Sequence, residues 1–362
     1  MEQKKYKLTI SVLASNRKDT LPKTLQSIKP ILDNVSSELI VTDTGCDEEL
    51  LAVIREYTDK IVKFEWCKDF SKARNVSVKM AQGQWYMFVD DDEWFEDVTS
   101  IIDFFNSGEC DKYNAFDYVQ RNYNNYESTE WVDTLVGRGT RLVEGQCFVD
   151  VIHEHFYHNM RPIKMFDAYV HHYGYIYKSV EDKEKHSRRN LELLENQLAN
   201  GTTNLRQYVH MLQEYNGLGM DEKALAIGNQ ALEMVVNSNL YIRRYVSGIK
   251  VNIVYSLMNM KKDTEALRIA TEYIKAGGIN QSSYCALYGY LSYIYYRIGD
   301  VRGAAEAAKE YANLYMYLKR NEVQIIQESV LAIGNLLCDT AADEIMKIQV
   351  LCMKQLEMCE IN

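Results

Sequence analysis

Proline is nearly missing from this chain. Only Pro22, Pro30 and Pro162 occur among 362 residues, so nothing after Pro162 forbids long uninterrupted helices. Basic residues are outnumbered. A net charge of −10 leaves no general basic face for nucleic acid or a membrane surface, though a local basic pocket for a diphosphate is compatible with it. No CxxC pair and no dense cysteine framework is present. The eight cysteines are scattered and read as free thiols of a reducing compartment, so the expected location is cytoplasmic. No apolar run is long enough for a transmembrane segment. The start, MEQKKYKLTISVLASNR, has the basic opening of a signal peptide. However, LTISVLA is short and runs directly into Asn16-Arg17-Lys18-Asp19, so it reads as a first buried strand.

What is present is the composition of a globular protein, 47% hydrophobic and 25% charged, in a chain long enough for two domains. The first ninety residues alternate strand and helix patterns. Strands are expected at Leu8–Ala14, Glu38–Thr42, Ile61–Trp66 and Gln84–Val89. Helices are expected after Thr20, over Glu48–Tyr57, and from a Ser71 cap through Ala81. Apolar strands alternating with helices mean a Rossmann-like, mostly parallel sheet with helices on both faces. Residues 113–175 are aromatic and strand-like, an antiparallel addition to that sheet. From about Ser179 the pattern is helical to the end. Asp221, Asp263 and Asp300 each open an Ala-rich helix after a Tyr- or Leu-rich one, at intervals of roughly 40 residues, near the range of helix-hairpin repeats. The expected division is 1–178 and 179–362.

In such sheets, ligands bind beyond the carboxyl ends of the strands, and the polar clusters fall there. Asp90-Asp91-Asp92-Glu93 closes an apolar strand, where carboxylates can hold Mg²⁺ or Mn²⁺ against phosphate oxygens. The bland alternative is an acidic turn capping the next helix. Asp69-Phe70-Ser71-Lys72-Ala73-Arg74-Asn75 opens a helix whose free N–H groups, with Lys72 and Arg74, suit a diphosphate. Asp43 ends a strand where it can bond a base or ribose, or simply make the turn before Gly45. His153-Glu154-His155 lacks the helical spacing of a zinc motif. Read as a strand, it puts both histidines on one face and Glu154 on the other. Packing roles compete for His155 and His158.

ISVLASNR, ELIVTDTG, WCKDFSKARNVSVKMAQGQWYMFVDDDEW, VIHEHF and VHHYGY followed by KHSRRNLELLE together resemble glycosyltransferase family 2, of the GT-A fold, in its bacterial branch with tetratricopeptide-like tails. The resemblance covers about the first half of the chain. It implies a catalytic nucleotide-sugar-binding domain at 1–178 and tetratricopeptide-like hairpins at 179–362. Ser15, Asn16, Arg17 and Asp43 would surround the nucleotide, UDP being the commoner donor. Lys72, Arg74, Asp90 and Asp91 would face the donor, with Arg74 on its diphosphate. Asp90 and Asp92 would form the Asp-x-Asp element, with Asp92 the direct metal ligand. His172 of the H-x-G-Y element would complete the site, although the doubled His171-His172 leaves the choice of ring open. Family enzymes invert the anomeric centre, which calls for one carboxylate base: Glu154, with Asp150 as runner-up. The helical tail and the absence of a membrane anchor favour a protein or peptide acceptor, with a glycan or lipid-linked precursor as the alternative, and the tail could also carry a homodimer. Two other readings stand beside this one. A sugar nucleotidyltransferase would show a Gly-rich loop after the first strand, which LASNRKDT lacks. A catalytically inactive scaffold would act through its repeats alone.

Overall fold

A computed structural model describes residues 4–123, 125–174, 176–177, 179–201, 204–237, 242–321 and 336–360. They fall into two compact units, Met1–Asp182 and Lys183–Asn362.

The first unit opens with β1 (Tyr6–Ala14), α1 (Leu21–Asn34), β2 (Ser37–Asp43), α2 (Glu48–Arg55), β3 (Ile61–Lys63), α3 (Phe70–Met80) and β4 (Gly83–Asp90). It continues with β5 (Glu93–Phe95), α4 (Thr99–Asn106), β6 (Ala115–Tyr123), β7 (Trp131–Arg141), β8 (Phe148–Val149), β9 (His155–Phe156) and β10 (Ile163–His172). The main sheet has the order β3-β2-β1-β4-β7-β6-β10-β5. β1 pairs in parallel with β2 and β4, as do β2 with β3 and β6 with β10. β7 runs antiparallel to both β4 and β6. β4 and β6 therefore point the same way, and the carboxyl ends of β1, β2, β4, β6 and β10 share one edge.

Alternation along β4 shows why both faces are covered. Trp85, Met87 and Val89 join the core formed with α1, α2 and α4, whereas Tyr86 and Phe88 face the other way and pack with Val78 of α3. Successive side chains of a strand point to opposite faces, so apolar residues at every position require helices on both.

Expected boundaries move by a few residues, and two of the shifts bear on the site. The third strand stops at Lys63 instead of Trp66, after pairing with β2 over three residues. Asp69, not Ser71, caps α3: its carboxylate accepts from Lys72 N at 2.9 Å. The Ser71 hydroxyl instead donates to the Asp150 carbonyl. Aspartate is among the favoured residues just before a first turn, where its carboxylate accepts from the free N–H groups.

The second unit contains α5 (Val180–Ala199, which begins just before the division), α6 (Leu205–Gly217), α7 (Asp221–Asn237), α8 (Arg243–Asn259), α9 (Asp263–Ala276), α10 (Gln281–Ile298), α11 (Val301–Arg320) and α12 (Asp339–Glu360). α6–α7, α8–α9 and α10–α11 pack as pairs, and α6, α8 and α10 contact one another in turn. Small residues allow the close approach. Ala224, Ala231, Ala266, Ala270, Ala304 and Ala308 are fully buried, and a Cβ on Gly228 would sit 2.6 Å from Ile253. Helix pairs of this kind bury a continuous core only by stacking.

Candidate functional site

The strand ends assemble the candidate residues at the shared edge. After β1, the Ser15 N–H and hydroxyl both donate to Asp91 Oδ2, at 2.6 and 2.7 Å. Arg17 reaches Asp91 with Nε (3.1 Å) and Asp92 with Nη1 (2.9 Å), while its side chain stays 49% exposed. Burial, then the charge of Asp92, pushes the Asp91 carboxyl up to about 6, although Arg17 and Ser15 oppose the rise. Asp91 thus ties the β1 loop to the acidic turn, and the Thr20 hydroxyl reinforces the tie by donating to the Asp91 carbonyl.

Asp92 faces His172. Its Oδ2 lies 3.8 Å from His172 Nε2. The orientation of that ring follows from its neighbours. Asn122 uses its amide N–H groups on the Gln120 carbonyl and Thr134 Oγ1. Its Oδ1 therefore accepts from His172 Nδ1, at 2.6 Å, which turns Nε2 towards Asp92. A Cβ on Gly174 would stand 2.4 Å from His172 Nε2 and 3.4 Å from Asp92 Oδ2, so only glycine leaves this corner open. His171 faces away from His172, as adjacent strand residues must, and bonds Tyr123 and Glu96. Among the described residues no three His, Cys, Asp or Glu side chains cluster closely enough to hold a metal. The Asp92–His172 pair fits a divalent ion whose remaining ligands are phosphate oxygens and water, because Mg²⁺ is commonly held by one or two protein groups plus substrate phosphates.

Asp90 is placed differently from the expectation. One carboxylate oxygen takes Arg74 Nη2 and the other takes Arg138 Nη1 at 2.8 Å. Burial would raise this carboxyl, but Arg138 and Arg74 hold it well below the usual carboxylate range. Each Asp90 oxygen thus carries one guanidinium bond, with the side chain 27% exposed. Arg74 is likewise turned inward. It is 5% exposed, its Nε donates to Glu154, and it stacks 4.4 Å above Phe88. The amino end of α3, expected to take a diphosphate, is already closed: Phe70 N donates to the Val151 carbonyl at 2.9 Å, and Asp69 caps Lys72 N. Lys72 stands apart, exposed and paired with Asp69 at 3.2 Å.

The His153-Glu154-His155 stretch is not a simple strand. Asp150 and His153 have left-handed backbones, φ +75° and +54°, and only His155–Phe156 is extended. Strand alternation therefore does not govern Glu154, which turns onto Arg74 with its side chain 10% exposed. Asp150 Oδ2 lies 3.3 Å from His155 Nδ1.

Beside the β2 end, Asp43 Oδ1 accepts from Gly45 N (2.9 Å) and Cys46 N (2.7 Å). Asp43, Cys46, Leu51, Arg55, Ile61 and Lys63 line a hollow of about 500 Å³. Asn16 accepts from Asp47 N at 3.2 Å, at the start of α2.

Sequence reasoning missed Arg138, Gln120 and Asn122, and named Glu93 only as part of the acidic run. Glu93 is fully buried and takes Arg138 Nη2 (3.1 Å), Gln120 Nε2 (2.9 Å) and the Tyr118 hydroxyl (3.2 Å). A clue lay in the run Tyr118, Gln120, Asn122, polar groups on a strand face that the fold buries. Another lay in Arg138 between two glycines, of which Gly139 leaves room for the Phe116 ring.

Fold and site define a class: an α/β domain with a candidate ligand site where the parallel strands end. Residues 9–178 match the model of glycosyl transferase family 2, and the chain carries a domain of that family. Curated relatives agree. The SPbeta prophage-derived glycosyltransferase SunS of Bacillus subtilis is 26% identical over 232 residues, 60% of this chain and 51% of that protein. A TPR repeat-containing protein of Synechococcus elongatus is 34% identical over 86 residues, 24% of this chain and 20% of that protein. The chain thus spans about half the length of SunS, and a fifth of the repeat protein. Among solved structures, S. aureus TarS 1–349 in complex with UDP-GlcNAc is 13% identical over 87% of this chain and 92% of that chain, with a TM-score of 0.34.

Proposed function

We propose that this chain is an inverting glycosyltransferase that moves a sugar from a nucleoside diphosphate sugar, first of all a UDP-sugar, to a protein or peptide acceptor in the cytoplasm. The observation that carries the reading is the Asp92–His172 corner. Two donors converge there at the carboxyl edge, His172 with its ring oriented by Asn122, and Gly174 keeps the space open. Asp92 and His172 would hold Mg²⁺ or Mn²⁺, which when bound supplies positive charge to the departing diphosphate. Arg17, half exposed beside them, adds a fixed positive charge facing the same place.

The hollow under Asp43 takes the nucleoside. Its Asp43 carboxylate is already oriented by two backbone N–H groups, and Leu51 and Ile61 supply apolar walls for a base. Glu154 accepts the proton of the acceptor nucleophile, in an orientation imposed by Arg74 Nε. One carboxylate base and no covalent intermediate give inversion. Asp150 is the second choice, since its carboxylate faces His155. The stacked helix pairs, read as tetratricopeptide-like hairpins, would bind the acceptor protein or a second copy of this chain.

The test is thermal melting with a panel of nucleotide sugars, in Mn²⁺ and in EDTA. One donor should raise the melting temperature only with metal, since a ligand that binds the folded state stabilises it. Asp92→Ala should abolish that rise while melting normally without ligand. A full rise in Asp92→Ala would remove the metal assignment. No rise with any nucleotide in folded wild-type protein would sink the enzyme reading and leave a transferase-like scaffold.

A further inference from the structure

Five ionisable side chains of alternating sign are joined end to end inside the first unit. Glu154 meets Arg74, Arg74 meets Asp90, Asp90 meets Arg138 at 2.8 Å, and Arg138 meets Glu93 at 3.1 Å. Arg74, Arg138, Glu93 and Glu154 side chains are exposed by 5%, 8%, 0% and 10%. The Phe88 ring contacts both guanidinium groups, at 4.4 and 4.6 Å. Burying such a chain gains little stability, because each ion gives up several kcal/mol of hydration and well-packed apolar groups would serve as well. Its ends differ in a way that points to a use.

The Glu93 end is anchored in the sheet. Gln120, Tyr118 and the Asp90 N–H all bond its carboxylate. The Glu154 end is tied instead to α3, through the Val151 and Asp150 carbonyls. It sits between two-residue strands, on a segment with two left-handed residues, and the backbone ladder there stops at Val149 and His155. The direction of the Glu154 carboxylate is thus set by Arg74. Arg74 is set by Asp90, and the other oxygen of Asp90 is held by Arg138.

We infer that Arg138 is a positioning residue: through Asp90 and Arg74 it holds the Glu154 carboxylate where the acceptor loses its proton. This rests on reading Glu154 as the base. Lysine at 138 would keep the charge but not the two-pronged grip on Asp90 and Glu93. In full-length protein with Mn²⁺, Arg138→Lys should keep the melting shift produced by UDP. Release of UDP from the UDP-sugar found in the melting panel should show KM within about twofold of wild type and kcat about tenfold lower or more. Hydrogen exchange at 150–156 should quicken.

The deciding comparison is Arg138→Lys in a Glu154→Gln background. If Arg138 acts through Glu154, the double variant is no slower than Glu154→Gln alone. If the two losses multiply, or if Arg138→Lys keeps wild-type kcat, the inference is overturned. Should Arg138→Lys fail to fold, the charge-paired Glu93→Gln with Arg138→Gln takes its place in the same comparison. Full turnover by Glu154→Gln alone would instead overturn the choice of base, whatever Arg138 does.

Discussion

At the scale of the residue, a few atoms set the site. Gly174 is the sharpest case. A single methyl group there would occupy the space of His172 Nε2, 2.4 Å away, so the ring must swing out or lose its bond to Asn122. Gly174→Ala should therefore abolish the metal-dependent nucleotide shift with little change in unliganded melting, because the position lies in a turn outside the buried core. An unchanged shift would show that His172 does not take part. The glycine and the histidine were legible in the H-x-G-Y element. The reason for the glycine was not, since it depends on how the His172 ring is held by Asn122, its partner on the neighbouring strand. The same limit applies to Asp90. Three consecutive aspartates look alike in a sequence, yet one caps a loop, one faces the histidine and one is locked between two arginines.

At the scale of the element, strand ends and turns are held by buried polar groups. Glu38 on β2 accepts from Thr9 on β1 and from Gln82 N before β4, both at 2.6 Å, and pairs with Lys60 before β3. One carboxylate thus ties four strands. Burial alone would raise this carboxyl, but Lys60, Thr9 and the Gln82 N–H lower it overall. A carboxyl lowered in the folded state adds stability above its unfolded value and loses it as pH falls through the lower folded value. Glu38→Gln should thus be less stable than wild type at neutral pH, and the difference should shrink below roughly pH 4. Urea melts at several pH values measure it. A difference independent of pH would mean that the ion pair adds nothing. The strand itself was readable as ELIVT, but nothing local in it marks the burial of its opening glutamate. Only the neighbouring strands reveal that it is buried.

At the scale of the whole molecule, the two units have separate cores. One gathers β1, β2, β4 and their helices; another gathers α8, α10, α11 and α12. Calorimetry should then give a van't Hoff enthalpy smaller than the calorimetric one, because two cooperative blocks unfold in one scan. Nucleotide with Mn²⁺ should move only one component. A single two-state transition that shifts as a whole would contradict that division. Among the described residues no helix is long and apolar enough to cross a membrane, in line with the absence of long apolar runs. Asp221, Asp263 and Asp300 stand at the starts of α7, α9 and α11, the second helix of each pair, and were visible because turns and Ala-rich faces are local features of the chain; the Asp300 carboxylate caps α11 at Gly303 N.

The sequence by itself determined the alternation of strands and helices, the position of the acidic run at a strand end, and the helical second half. Each rests on periods of two or 3.6 residues and on side chains acting on their own backbone. Tertiary structure alone decided which carboxylate meets which cation. Arg74 finds Glu154 80 positions later, and Arg138 finds Asp90 48 positions earlier. Such pairs follow from strand order. By inserting β7 between β4 and β6, the fold brings Arg138 beside Asp90, and no local pattern encodes that neighbour. Charge then does the rest, because a buried carboxylate must find a partner or lose its proton.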